Sequence, residues 1–495
     1  MVGLKRLLAI ALVATATAAQ AQPDLPTTPA AWRDAALRDI AAGYQVTLDN
    51  HAGALDPHNP GFLANLEAAR ERGLALARQV KDAPGYVAAL QGFTARINDG
   101  HAGIATKGKL LAPDAQRWPG FVAAWREDLY VYASEPGGPP VGARIVSCDG
   151  KPAKRLLEDN VFAFEGRGNE AGQWWTSARE LFVDRGNPFI QVPRRCVFAT
   201  TDGKQAEPAL DWRPRTEQAR EWSGGAVGMA ELPVGLTEPR PNLFWVAMPT
   251  FKPNDGERAA YRAMAERVRQ DRARFLQAAA IVIDLRGNHG GASMWSEEFA
   301  GALWGEARLQ RRRDAYDANT VTWYRASPGN LAHFRMLEQR FVQQGEKKAQ
   351  AWAAARAAGI AAAQAAGQPY YIDREDAARA TADPQADRPG DPPPFTRPVY
   401  VIVPGYCASA CLDALDMFKL FPNTRLVGAP SSADSTYMEV RSQDLPGGLA
   451  RTIVPTKLYV GRPRGNGQVY QPDIALRSVE WGTAEFLRLI EAQGK

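Results

Sequence analysis

From about residue 240 to residue 420 the chain alternates short apolar strand patterns with helix patterns, and this alternation constrains the fold more than any other feature. Leu243 to Met248 reads as a strand and Glu257 to Phe275 as an amphipathic helix. Ala280-Ile281-Val282-Ile283-Asp284-Leu285 reads as a buried strand and Ser296 to Leu303 as a helix. Val399 to Val403 is then a strand, and Leu412 to Leu420 a helix. Units of this kind stack into a layered α/β core around a mostly parallel sheet. An insertion over about residues 328–390 interrupts the pattern. Within it Ala349 to Ala366 holds twelve alanines in eighteen residues, a composition that favours an extended helix. Pro384, Pro389 and Pro392-Pro393-Pro394 return the chain to the sheet. Both a lid over a site and a surface helical hairpin fit this insertion.

Upstream the texture differs. Trp32, Ala36, Ile40 and Tyr44 recur every four residues, and Phe62, Leu66 and Ala69 continue the helical period. Asp82, with Pro84 in the first turn, caps a further helix through Tyr86, Val87, Leu90 and Phe93 towards Ile97. Residues 22–112 are therefore expected to form a helical cap. Residues 113–215 carry short β-like runs separated by Pro and Gly. Phe121 to Trp125 and Leu129 to Tyr132 read as a strand pair, and Gly142 to Pro152 as a strand entering a turn before a helix near Ala153. This segment resembles the core of a PDZ module, which binds peptides by adding a strand to an open sheet edge.

A chain of 495 residues has room for two or three such units. Apolar residues at 45% and charged residues at 23% exclude a mainly disordered chain. The formal charge of +5 is too small over this length to argue for nucleic acid. The N-terminus has a basic pair, Lys5-Arg6, an apolar run from Leu7 to Ala19, and a small-x-small site, Ala19-Gln20-Ala21. This is the layout of a secretory signal over residues 1–21. Its apolar run is shorter than the roughly 20 residues that span a bilayer. A secreted or periplasmic product without stable membrane insertion is expected. There Cys148, Cys196, Cys407 and Cys411 are free to form disulfides. Cys148 with Cys196 pairs inside the β-rich module if their strands adjoin.

Three segments carry candidate chemistry. Asp99-Gly100-His101 follows the N-terminal helices. Asp284-Leu285-Arg286-Gly287-Asn288-His289-Gly290-Gly291 is a strand opening into a glycine-rich turn. Val403-Pro404-Gly405-Tyr406-Cys407-Ala408-Ser409-Ala410-Cys411 is a strand, a turn and a helix start. Ser409 at a helix start is either a capping residue or a nucleophile beside free N–H groups. Gly290 and Gly291, with the N–H of Ala410, can form an oxyanion hole, and a paired glycine also suits a plain tight turn. Imidazole is the side chain that titrates near neutral pH, so His101 suits a general base. Arg286 reads as an anchor of the turn, and His289 as a loop histidine facing solvent. H-E-x-x-H, paired C-x-x-C and phosphate-loop motifs are absent, so no metal and no cofactor is called for. The absence of G-x-S-x-G around Ser409 argues against an α/β-hydrolase.

In this order, helical cap, D-G-H, β-rich module, D-L-R-x-N-x-G-G, then x-S-A, the chain resembles the tail-specific or C-terminal processing serine peptidases related to the tricorn core protease. A later stretch fits as well: Leu426-Val427-Gly428-Ala429-Pro430, Leu445-Pro446-Gly447-Gly448 and Tyr470-Gln471-Pro472-Asp473. The resemblance spans about residues 30–480. It implies a layered ClpP/crotonase-like protease core over residues 216–495, with Ser409 as nucleophile and Gly290, Gly291 and Ala410 shaping the oxyanion hole. It also implies protein or peptide substrates, held by a C-terminal tail in the PDZ-like groove. The Ser–Lys members carry a lysine base about 25 residues after the serine, and here that residue is Asp434. Lys419 and Lys457 lack the spacing. A Ser–His arrangement with His101 is therefore expected. Triad logic asks for a carboxylate behind the imidazole; Asp434 and Glu439 are the candidates, with a slight preference for Glu439 because it lies in a strand-like run. The reading is an exported serine endopeptidase. The lost lysine motivates a rival, a non-catalytic peptide-binding protein that keeps the protease fold. A hydrolase of small acyl esters or amides is a third reading. The sequence leaves oligomeric state and cleavage preference open.

Overall fold

A computed structural model describes residues 25–494 apart from 109, 112–114, 230–231 and 374–387. The expected signal over residues 1–21 lies outside the described residues. The central element is a six-stranded sheet in the order Gly235–Arg240, Leu243–Ala247, Ala280–Asp284, Val399–Val403, Thr424–Gly428, Ile474–Ala475. The first pair is antiparallel and the other four pairs are parallel. Alternate side chains leave a strand on opposite faces, and both faces here are covered. Val246, Ile283, Val401 and Leu426 pack with Met264, Phe299, Leu412 and Leu415 of the helices on one side. Trp245, Val282, Ile402 and Val427 pack on the other with Trp481, Phe486 and Ile490. The helices on the first face are Asp255–Gln270, Met294–Trp304 and Ala410–Phe418; Thr483–Glu491 covers the second. The fold is thus a layered α/β core.

The amphipathic helix expected over residues 257–275 is two pieces. Asn254 caps it with a reciprocal Glu257 bond, and it ends at Gln270. Asp271 then leaves helical geometry before Arg272–Leu276. The Asp271 carboxylate accepts from Arg267 Nε at 2.7 Å, an i,i+4 ion pair that closes the last turn of the first piece.

Asp82 caps its helix as expected, accepting from the Gly85 N–H. The cap helices Pro29–Asn50, Gly61–Ala77 and Ala83–Ile97 bury Ile40, Leu66 and Phe93. They pack against a second, antiparallel sheet that the sequence pattern does not reveal. It orders Gly103–Thr106, Ala450–Val460, Val321–Arg325 and Tyr370–Asp373, with Tyr437–Asp444 also paired to the long strand. Gly103–Thr106, within the expected cap, therefore pairs with a strand about 350 residues later; such pairing has no short-range signature.

The β-rich module is built from Phe121–Trp125, Leu129–Ser134, Arg144–Cys148 and Cys196–Ala199, with short strands at its margins. Cys148 stands opposite Cys196 in register, and the two form a disulfide. The insertion folds as a pair of helices, Pro328–Gln344 and Lys347–Ala365, around Phe334, Ala357 and Ile360. No helix among the described residues is long and apolar enough to cross a membrane.

Phe299 is 1% exposed in the middle of the larger core. Phe299→Ala is expected to cost about 3–5 kcal/mol, read as a lower denaturant midpoint at unchanged slope.

Candidate active site

Parallel strands end on the same edge of the sheet, the usual place for ligand sites in α/β folds. Ala280–Asp284 and Val399–Val403 are adjacent and in register, with Asp284 opposite Ile402. Their outgoing turns are therefore neighbours.

The first turn is fixed by a buried ion pair. Arg286 and Asp284 are both 0% exposed and meet at 2.6 Å. Arg286 also donates to the Trp481 carbonyl at 2.6 Å and to Thr483 Oγ1 at 2.8 Å, which ties the turn to the C-terminal helix. Asn288 Nδ2 donates to the Met248 carbonyl at 2.9 Å, and Asn288 Oδ1 accepts from the Gly290 N–H at 2.8 Å. Gly290 and Gly291 sit at φ +94° and +141°, conformations that side chains disfavour. A Cβ on Gly290 would stand 2.9 Å from Ser409 Cβ and 3.2 Å from the Ala410 nitrogen. Glycine there is a condition of the close approach. His289 is exposed and stacks on Tyr406 with ring centroids 4.4 Å apart.

The second turn presents Ser409 at φ 56° and ψ −129°, a left-handed conformation rare for non-glycine residues. Its hydroxyl makes no capping bond to the helix Ala410–Phe418, so the capping role is not the one it plays. The N–H of Ser409 donates to Asp434 Oδ2 at 2.7 Å. Cys407 and Cys411, both 0% exposed, are joined by a disulfide that closes a short ring around Ser409. Among the described residues, neither the Gly291 N–H nor the Ala410 N–H has a hydrogen-bond acceptor.

The third segment reaches the same place through residues 433–435. Asp99 Oδ1 accepts from the His101 N–H at 2.9 Å and from Ser435 Oγ at 2.8 Å. Asp99 Oδ2 pairs with His51 Nε2 at 2.8 Å. Since His51 Nδ1 accepts from the Gly53 N–H, the proton of this histidine is on Nε2 and is donated to Asp99. Arg167 packs against Gly100 and donates to the Ala433 carbonyl at 3.2 Å. Two consecutive residues thus contact the two segments, Ser435 on the D-G-H side and Asp434 on the Ser409 side, while Ala433 before them is held by Arg167. His101 is half-buried, and its Nδ1 is buried without a partner. No hydrogen bond joins His101 to Ser409 among the described residues.

The carboxylates expected behind His101 are engaged elsewhere. Glu439 lies in the strand Tyr437–Asp444 at φ 61°, and its carboxylate is 3.4 Å from Lys457 Nζ. Asp434 holds the Ser409 N–H and Arg464. Neither hydrogen-bonds to His101, so the slight preference for Glu439 is not met. The physical reason is the ion pair with Lys457 on the adjacent strand, which holds the Glu439 carboxylate. That lysine is no candidate base: burial alone would lower it, but Tyr459, Tyr324 and Glu439 around it outweigh burial and raise its pKa. Lys419 is exposed at the far end of the helix that Ser409 begins. Sequence reasoning did not single out Arg462 and Arg464, which bind Asp413 and Asp416 behind this helix. The visible signal was the Arg462-Pro463-Arg464 run.

No group of three or more His, Cys, Asp or Glu residues able to hold a metal occurs among the described residues. Residues 244–476 match the model of peptidase family S41. The fold is similar to that of mature CPAF complexed with lactacystin, at TM-score 0.60 and 12% identity over 93% of this chain and 98% of that one. It is similar too to mature CPAF alone, at TM-score 0.59 and 13% identity over 94% of this chain and 99% of that one. No curated protein matches the chain.

Asp99 connects the histidine turn to the rest, and its carboxyl lies below the usual range. Burial by itself would raise it, but the hydrogen bonds from His51 and from the His101 N–H outweigh that. A depressed carboxyl supplies stability above its unfolded pKa and loses it as pH falls through the folded value. The contribution of Asp99 is therefore complete at neutral pH and fades below about pH 4. Urea unfolding at a series of pH values is expected to show Asp99→Asn well below wild type at pH 7, with the gap closing towards pH 2.

Proposed function

With residues 244–476 matching the model of peptidase family S41, we propose that the chain is a serine-type peptidase that hydrolyses peptide bonds through Ser409 as nucleophile and His101 as general base. The observation that carries the reading is the strained backbone at Ser409. A non-glycine residue in such a conformation costs about 1–3 kcal/mol and persists where its placement is useful. The strain turns the Ser409 side chain away from the capping position and sets it beside the glycine turn.

In this reaction Ser409 Oγ attacks the substrate carbonyl carbon while His101 takes the hydroxyl proton. The carbonyl oxygen becomes an oxyanion, and the free N–H groups of Gly291 and Ala410 are its donors. Gly290 contributes by leaving room, since its own N–H is held by Asn288. The amine leaves with the proton returned by His101, and water attacks the acyl-enzyme by the same path. The unpartnered His101 Nδ1 is the atom that an orienting acceptor would engage.

The proposal extends to polypeptide chain ends. A 400 Å³ cavity lies between the β-rich module and the core, walled by Trp125, Trp174, Trp175 and Leu476 and lined also by Lys154. Trp175 packs on Gly405, in the turn that leads to Ser409. An apolar wall with Arg126, Lys154 and Arg477 at its margin, and Glu127 among them, suits an apolar side chain beside a carboxylate, which supports the PDZ-like use of the module. Export to an oxidising compartment is part of the same proposal: both cysteine pairs are disulfides, a state that the cytosol disfavours.

Ser409→Ala is expected to abolish turnover of an unfolded protein, and His101→Ala to lower kcat/KM by roughly 10²–10⁴-fold, with both variants folded. A fluorophosphonate probe is expected to label wild type at Ser409. Full activity in either variant would sink the mechanism. Failure to label wild type would favour the non-catalytic peptide-binding protein.

A further inference from the structure

Residues in strained backbone need neighbours that hold them there, and at Ser409 the holding group is identifiable. Its N–H donates to Asp434 Oδ2 at 2.7 Å, and Asp434 is 5% exposed. A carboxylate so buried requires a cation, and Arg464, 3% exposed, supplies one at 3.3 Å. Arg464 Nε also meets Asp416 at 3.0 Å, and Nη2 meets Asp413 at 2.6 Å. Asp413 and Asp416 lie on the helix that Ser409 begins. Asp413 Oδ2 further accepts from Ser293 Oγ at 2.9 Å, and Ser293 follows the Gly290–Gly291 turn by two residues. One buried arginine thereby connects the amide of Ser409, the helix behind it and the segment that carries the glycine pair.

Resting on the peptidase reading, we propose that Asp434 and Arg464 are positioning residues for the nucleophile. Asp434 fixes the strained backbone of Ser409 and removes its N–H from the oxyanion hole, leaving the Ala410 and Gly291 N–H groups as the donors. In the better-known serine protease arrangement the nucleophile's own N–H serves in the hole. Here that N–H already has a charged acceptor, so an oxyanion would have to displace a carboxylate to use it. Arg464 ties the two halves of the hole together, since its partner Asp413 is also bonded to Ser293. Neither Asp434 nor Arg464 needs to touch substrate. Their effect should therefore fall on the chemical step and leave binding unchanged.

The test compares Asp434→Ala with Asp434→Asn, whose amide oxygen can still accept the Ser409 N–H. Turnover of unfolded casein gives kcat and KM, fluorophosphonate labelling gives the reactivity of Ser409, and circular dichroism with urea unfolding checks the fold. Asp434→Ala is expected to lower kcat and the labelling rate roughly 10²-fold or more, with KM within about twofold of wild type. Asp434→Asn is expected to recover to within about tenfold of wild type. Asp434→Leu, which keeps the volume and lacks the acceptor, replaces the alanine variant if that one does not fold. A folded acceptor-less variant that labels as fast as wild type overturns the proposal, as does an asparagine variant no better than it. A wild type that takes no label overturns the peptidase reading and this proposal with it; loss confined to Asp434 variants cannot be mistaken for that result.

Discussion

Two parallel strands that end in register must release their turns side by side, and the candidate site depends on that constraint. Asp284 and Ile402 are partners across the sheet, so Leu285–Gly291 and Pro404–Ser409 leave the same edge. The approach is close enough that a methyl group on Gly290 would collide with Ser409. The Asp284–Arg286 pair keeps the first turn from relaxing away, since removing either partner would strand a fully buried charge. The ring closed by Cys407 and Cys411 limits the second turn covalently.

The histidine arrives by another route. Its turn follows the last cap helix and precedes a strand of the antiparallel sheet, and no strand of the parallel sheet contributes to it. Ser435, bonded to Asp99, and Asp434, bonded to Ser409, are consecutive residues. The short stretch between Thr424–Gly428 and Tyr437–Asp444 thus joins the two sheets at the site. Buried polar contacts of this kind have few alternative arrangements, because each group loses its water and must find its partner.

The layered core was legible because a strand buried on both faces needs a continuous apolar run, and Ala280 to Ile283 is one. The candidates Ser409, Gly290 and Gly291 were legible for a related reason: each sits where a strand pattern ends in small residues. Asp434 was noticed by its spacing from Ser409, but its role was not, since the bond it makes is to a backbone N–H and leaves no mark on residue type. Glu439 drew attention by lying in a strand, yet Lys457 on the adjacent strand takes its carboxylate away.

By itself the sequence determined the order of the units, the α/β character of the core, the glycine-rich turn and the serine at the helix start. These follow from periodicity and from the conformational freedom of glycine, which are local properties. Only the tertiary structure decided that Gly103–Thr106 joins Ala450–Val460, that Asp99 and Ser435 meet, and that Arg464 reaches Asp434. Contacts between distant residues depend on how whole layers pack. A charged residue in a sequence can have many partners, and burial beside one of them makes the choice.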